Sequence, residues 1–259
     1  MATSQEPTTK LKPGDVVQLS ISAEGMAQIF QHPLAQQHIR ASSFGKYYGM
    51  VVYCNIRTFT EVDEEGREAT EKVEEASIAL IGSNPPPDDL FGGTKGLQYL
   101  PGGGYQFCVI PLTPGDNTTP SQRSHLQFEG NVEFPIAPAL LHTDLATTIH
   151  LGELHDEGPR LKLTDGEYKR YIATSMEDRR TIRKAVAMYQ ASPEYKNREV
   201  EESALEEGRV EQKEEGDDDD YDDVPPVNYI VADVWTNLGD AKELSDPVEL
   251  HAEIERIRE

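Results

Sequence analysis

The sequence predicts an α+β fold, with an antiparallel β-sandwich or barrel in the N-terminal part and helices in the C-terminal part. Residues 11–163 contain several segments in which apolar and polar side chains alternate, joined by turns rich in Gly and Pro, as in antiparallel sheets. Residues 164–259 instead place apolar residues at helical spacing. Within that second part, residues 199–226 form an acidic insert that we expect to be disordered.

The N-terminal part begins with residues 1–10, which are polar and predict a disordered tail. A turn at Pro13-Gly14-Asp15 then precedes a strand in which Val17, Leu19 and Ile21 alternate with polar residues. Residues 23–40 have a helical pattern that Pro33 interrupts, so we expect two short helical turns there.

Two further segments, residues 47–59 and residues 76–80, predict a long β-hairpin. Between them lies an acidic window, residues 61–75, in which eight acidic residues accompany only Arg67 and Lys72. Such a concentration of like charge resists burial, so the tip of the hairpin is expected to project into water.

The rest of the N-terminal part contains one long loop and several strands. Residues 82–104 are rich in Gly and Pro and predict the loop, whereas residues 105–112 are apolar on both faces and predict a central strand. Residues 126–136 show the clearest alternation in the chain and predict another strand or tight hairpin. Residues 147–151 and 161–163 are weaker strand candidates.

The second part begins with a capping box at Thr164-Asp165-Gly166-Glu167, which predicts a helix over about residues 165–190. The residues that recur at helical spacing and form a stripe along it are Tyr168, Tyr171, Ile172, Ser175, Met176, Arg179, Ile182, Val186 and Tyr189. After the acidic insert, residues 227–235 predict a returning strand that contains the only Trp, and a last helix follows Pro247. Because a folded element follows it, the insert is predicted to be a loop tethered at both ends.

The net charge of −23 is unevenly distributed along the chain. Residues 199–223 contribute −12 and residues 61–75 contribute −6, so the remaining residues sum to only −5. The sequence therefore describes a nearly neutral body with two acidic extensions. This charge favours protein partners, in particular basic ones, and opposes binding of nucleic acid.

The apolar residues do not predict a membrane protein or a secreted one. No run of about 18 apolar residues occurs, and the N-terminus lacks the basic and apolar regions of a signal peptide. We therefore expect an intracellular protein, cytoplasmic or nuclear, and a virion component is also compatible. Cys54 and Cys108 both lie in apolar runs and are expected to be reduced core residues.

Motifs for catalysis, cofactors and metal ions give no positive prediction. The histidines of residues 142–155 lack the spacing of a zinc site, and Gly92-Gly93-Thr94-Lys95-Gly96 lacks the ending of a phosphate-binding loop. No nucleophile elbow occurs. We therefore predict no catalytic, cofactor-binding or metal-binding residues and no enzyme activity.

Two sets of residues are candidates for binding a partner. The first is the densest acidic run, which would bind a basic protein or merely aid solubility: Asp217, Asp218, Asp219, Asp220, Tyr221, Asp222 and Asp223. The second is the basic cluster of the long helix: Arg179, Arg180, Arg183 and Lys184. We expect this cluster to pair with Glu177, Asp178 or an acidic segment of this chain or a neighbour, in preference to RNA or DNA.

These observations favour a non-enzymatic structural or assembly protein that acts through protein surfaces in a larger complex or particle, including a viral one. It would form homo-oligomers or hetero-oligomers. The alternative hypothesis is an acidic, chaperone-like module that binds a basic protein through residues 199–223. A third class, an enzyme with a dispersed site, would require a pocket with converging ionisable groups.

Overall fold

The computed structural model describes residues 10–30, 32–62, 68–88, 97–114, 122–156, 158–193, 195–196, 229–238 and 243–258. The predicted tail, apart from Lys10, and the predicted acidic insert lie outside these residues. The strands are β1 (Val16–Ile21), β2 (Tyr47–Val62), β3 (Glu68–Gly82), β4 (Val109–Pro111), β5 (Leu140–His155) and β6 (Ile230–Trp235). The helices are α1 (Ala23–Ile29), α2 (Pro33–Ala41), α3 (Asp165–Ala191) and α4 (Pro247–Arg258).

Five strands close into a β-barrel, which confirms the α+β prediction and decides for a barrel over a sandwich. The hydrogen-bonded order runs β3–β2–β1–β6–β5, and a further pairing of β3 with β5 closes the ring. All of these pairings are antiparallel except that of β5 with β6. The short strand β4 adds to β5 as a branch.

Alternate side chains of the five strands fill the barrel interior, as the two-residue period of a strand requires. They form one buried cluster, which includes Leu19, Val51, Ile78, Ile149 and Val234. Side chains of α1, α2 and α4 join the same cluster, among them Met26, Ile39, Leu250 and Ile254. The barrel and these three helices therefore share one hydrophobic core.

Strand β6 lies between β1 and β5 and is contributed by the second part of the chain. Its residues Ile230, Ala232 and Val234 point into the barrel and are buried. The residues of the acidic insert thus connect α3 to a strand that completes the barrel wall. The two parts of the sequence consequently contribute to the same core.

A second hydrophobic cluster lies outside the barrel and is covered by α3. It combines outward residues of the wall, such as Met50 and Ile81, with Tyr171 of α3 and with the segment around Leu126 and Phe128. The hydroxyl of Tyr168 on α3 donates a hydrogen bond of 2.7 Å to the carbonyl of Val52. Because the register of β2 shifts between Val51 and Tyr53, Val52 has no partner residue in the β2–β3 register.

The predicted strand at residues 126–136 is absent, although its alternation was the clearest in the sequence. Leu126, Phe128, Phe134 and Ile136 are buried in the second cluster, but the backbone forms no strand, and its bridge between Phe128 and Leu163 is isolated. Gly130 and Asn131 adopt positive φ angles of 71° and 54° and turn the chain. Alternating burial in an irregular segment produced the same pattern as a strand.

Two other strand predictions had the wrong length. The central strand expected at residues 105–112 is reduced to Val109–Pro111, because Tyr105–Phe107 forms a turn of 3-10 helix. In contrast, the weak candidate at residues 147–151 is part of β5, which has 16 residues. Residues 161–163 contribute only isolated bridges to Asp15 and Phe128.

The hairpin of β2 and β3 extends beyond the barrel wall. Strand β5 pairs with β3 only as far as Glu75, whereas β2 and β3 continue to pair from Ile56 with Glu74 to Val62 with Glu68. We call this two-stranded extension the hairpin arm. Its tip, residues 63–67, falls outside the described residues, so the predicted projection of the tip stays a prediction.

Candidate protein-binding surface

Helix α3 has a well-defined start that follows from its sequence. The Thr164 hydroxyl accepts a hydrogen bond of 3.3 Å from the Glu167 amide, and Asp165 and Glu167 place negative charge in the first turn, where the helix dipole favours it. The helix continues for 27 residues, or about 40 Å at 1.5 Å per residue. Only one side of it contacts the barrel.

A buried ion pair fixes α3 on the barrel. Asp178 is 2% exposed, and its two carboxylate oxygens accept hydrogen bonds of 2.6 and 2.8 Å from the guanidinium of Arg123. The Thr143 hydroxyl of β5 donates a third bond of 2.5 Å. Arg123 also donates to the carbonyl of Phe107 at 2.7 Å, so the buried charges are paired and hydrogen-bonded.

This arrangement corrects one expectation about the basic cluster. Of the three alternatives that we expected for the cluster, Glu177, Asp178 or another acidic segment, Asp178 is not available, because it faces the barrel and pairs with Arg123. Of the arginines of the cluster, Arg179 lies 3.4 Å from the carboxylate of Asp144 on β5. Burial raises the pKa of Asp144, and the charge of Arg179 opposes that rise.

The other three cations of the cluster, Arg180, Arg183 and Lys184, are exposed. The charge of Arg183, like that of Arg179, lowers the pKa of Asp144 on β5, whereas Arg180 and Lys184 line a surface cleft. We define the outer face of α3 as Ala173, Met176, Glu177, Arg180, Thr181, Lys184, Ala187 and Met188. The first six of these residues line a cleft of about 430 Å³. The outer face is therefore a mixture of small, apolar and basic side chains.

Two large apolar side chains on the outer face are open to solvent. Met176 is 66% exposed and Met188 is 54% exposed, and the neighbouring Val186 is 44% exposed. Met176 and Val186 belong to the stripe whose spacing predicts the helix, yet both are exposed. The buried residues of α3 are Tyr171, Ser175, Asp178, Ala185 and Tyr189, which coincide with that stripe only in part.

The predicted acidic site, Asp217–Asp220, Tyr221, Asp222 and Asp223, lies outside the described residues. Within the part of the chain that is described, no group of three or more His, Cys, Asp or Glu side chains could hold a metal ion. Among the same residues, no helix is both long and apolar enough to cross a membrane.

Burial raises the pKa of the Cys108 thiol, so this cysteine stays protonated at neutral pH.

Buried His142 near the start of β5 gives a pH-dependent contribution to stability. Its Nε2 lies 2.9 Å from the Asn84 carbonyl and must donate, while Nδ1 has no partner among the described residues. Burial lowers the pKa of His142 from 6.5 to about 4. Between these values the unfolded chain binds the proton more readily, so stability falls as the pH decreases from 6.5 towards 4.

We expect His142→Gln, whose amide can still donate to Asn84, to remove that part of the pH dependence. Between pH 6.5 and pH 4, the free energy of unfolding of the wild type should fall by up to about 3 kcal/mol more than that of the variant, since one pKa unit corresponds to about 1.4 kcal/mol. Urea unfolding of both proteins at pH 7 and pH 4.5 measures the difference. Equal losses in the two proteins would show that His142 titrates normally in the folded state.

Comparison of the chain with models of protein families, with curated proteins and with solved structures finds no match. Any functional assignment therefore depends on the surfaces described above.

Proposed function

We propose that this protein is a non-enzymatic component of a larger protein assembly, and that the outer face of α3 is its main contact surface. The observation that carries the proposal is the exposure of Met176 and Met188 beside Arg180 and Lys184 on a helix that a buried ion pair fixes on the barrel. Met176 and Met188 lie twelve residues apart, about 18 Å along the helix, so a contact that extends along the outer face would cover both. Methionine is well suited to such surfaces because its side chain is flexible and polarisable.

The charge of this face indicates the chemistry of its partner. Arg180 and Lys184 are accompanied on this face by one acid, Glu177, and Arg183 beside the face is also exposed, whereas Asp178 is neutralised by Arg123. In a chain of net charge −23, this local excess of positive charge is an exception. A contact surface that places an acidic group opposite Lys184, next to apolar groups, matches it best.

A second candidate function, binding of a basic protein client, is supported by the hairpin arm. The acidic window of residues 61–75 spans this arm, and beyond Glu75 no third strand pairs with its described part. A two-stranded ribbon with free edges and acidic side chains can accept a basic extended segment. The acidic residues 199–223 would add to the same attraction.

One capture experiment separates these two functions. We expect the tagged full-length chain to retain its partners from its native source, and Arg180→Glu with Lys184→Glu to reduce their recovery at least about tenfold, because attraction becomes repulsion at two positions. Deletion of residues 211–223 should leave recovery unchanged. Recovery is measured by quantitative mass spectrometry of the captured proteins.

The matched control is Lys169→Glu with Arg256→Glu, which changes the net charge equally at exposed residues outside the cleft. This control should bind as the wild type does. If the control loses partners equally, net charge and not the outer face governs binding. If only the deletion abolishes capture, and the captured proteins are basic, the second function replaces the first.

A further inference from the structure

The outer face of α3 has a sequence pattern that is complementary to itself. Ala173, Glu177, Arg180, Lys184 and Met188 follow one another at intervals of four, three, four and four residues, which places them in one stripe along the helix. Thr181 lies beside Arg180 near the middle of that stripe. The acidic residue and the small residue lie on the N-terminal side of the middle, and the basic residue and the large apolar residue lie on the C-terminal side.

We propose that two copies of this chain pair through antiparallel α3 helices, about a twofold axis near residues 180 and 181. This inference rests on the proposed function and identifies the partner of the outer face as a second copy. In this register Glu177 of each copy lies opposite Lys184 of the other, and Ala173 lies opposite Met188. Such a contact is isologous, because each residue pair occurs twice.

The charges around the axis support this register. Glu177 of one copy would lie within reach of both Lys184 and Arg180 of the other, which offsets the approach of the two Arg180 side chains. Within one copy Glu177 and Lys184 are two helical turns apart, about 10 Å along the axis, too far for an ion pair. Arg180, three residues from Glu177, can pair with it within one copy, so Glu177 with Lys184 is the pair that only two copies can form.

The size of the surface and the range of electrostatic forces also fit a dimer. A helix of 27 residues offers a contact about 40 Å long, and the small Ala173 leaves room for the exposed Met188. The net charge of −23 on each copy opposes association at a distance. At physiological ionic strength, however, charges separated by more than about 8 Å are largely screened, so the local pairs dominate.

A charge swap tests the inference on the purified full-length chain. Sedimentation equilibrium should give the wild type a mass approaching twice 28.9 kDa as its concentration rises. We expect Glu177→Lys and Lys184→Glu to weaken the dimer about tenfold each, because each substitution makes two symmetric pairs repulsive. The double variant Glu177→Lys with Lys184→Glu should return to within about threefold of the wild type.

Lys169→Glu is the control, because in this register residue 169 lies beyond the C-terminal end of the facing helix at Ala191. It should dimerise like the wild type, and all variants should unfold at the wild-type temperature. A wild type that stays monomeric at every concentration overturns the inference, as does a double variant that stays as weak as the single ones. If that monomer still captures a different protein through the outer face, the proposed function survives and only the second copy is excluded.

Discussion

Replacement of Asp178 by Ala is expected to destabilise the folded protein by about 3 kcal/mol, because it leaves the guanidinium of Arg123 without its buried counter-ion. It also removes the acceptor of the Thr143 hydroxyl. Arg123 keeps the carbonyls of Phe107 and Val109 and is partly exposed, which places the loss at the lower end of the range for buried pairs. The melting temperature should fall by roughly 6–12 °C.

Thermal and urea unfolding measure this loss, and the double variant Arg123→Met with Asp178→Leu is the control. Replacement of both charges by apolar groups should recover most of the stability that the single substitution removes. A D178A protein that melts with the wild type would show that this ion pair does not hold α3 on the barrel. The outer face would then lack the rigid support on which the proposed function depends.

A chain that ends at residue 228 is expected to lose its cooperative unfolding transition. Such a chain lacks β6, which pairs with both β1 and β5, and it lacks α4, whose Leu250 and Ile254 are buried in the same core. Removal of one strand from a closed barrel exposes the interior and leaves two strand edges unpaired. The loss should be visible in near-ultraviolet circular dichroism and in calorimetry.

A peptide of residues 229–259 added in trans should restore part of the transition, since the strand and helix that it supplies are the missing ones. Deletion of residues 211–223 in the intact chain serves as the control and should shift the melting temperature only slightly. If the truncated chain unfolds cooperatively at the wild-type temperature, residues 10–228 form a complete domain without β6. Strand β6 would then not be needed between β1 and β5 to complete the barrel.

The sequence predicted those elements whose pattern is local. The hairpin of β2 and β3, the long helix α3 and the first strand follow from alternation, capping and periodicity within short windows. The prediction of a strand at residues 126–136 failed because alternation shows which side chains are buried, and does not show whether the backbone between them is extended. The length of strand β5 was underestimated because three buried residues, His142, Thr143 and Thr147, are polar. They interrupt the apolar pattern that a mostly buried strand would otherwise show.

The binding surface was predicted only in part. The basic cluster was found from the positions of its residues along the helix. Which of its cations is paired, as Arg179 is with Asp144, depends on how the helix lies on the barrel. Asp178 and Arg123 are 55 residues apart, and no sequence pattern links them. The outward direction of Met176 followed from the phase of α3, which Tyr171, Asp178 and Tyr189 set by packing against the barrel. The stripe taken from the sequence also included Arg179, a charged residue, so it covered more of the helix surface than the side that packs on the barrel.

Whether the protein acts through the outer face of α3 is decided by the mass in solution of the purified chain and of its charge variants. We expect a concentration-dependent dimer that is weakened by E177K or K184E alone and restored when both are present. A monomer that binds no protein through this face, in every variant and at every concentration, would contradict it.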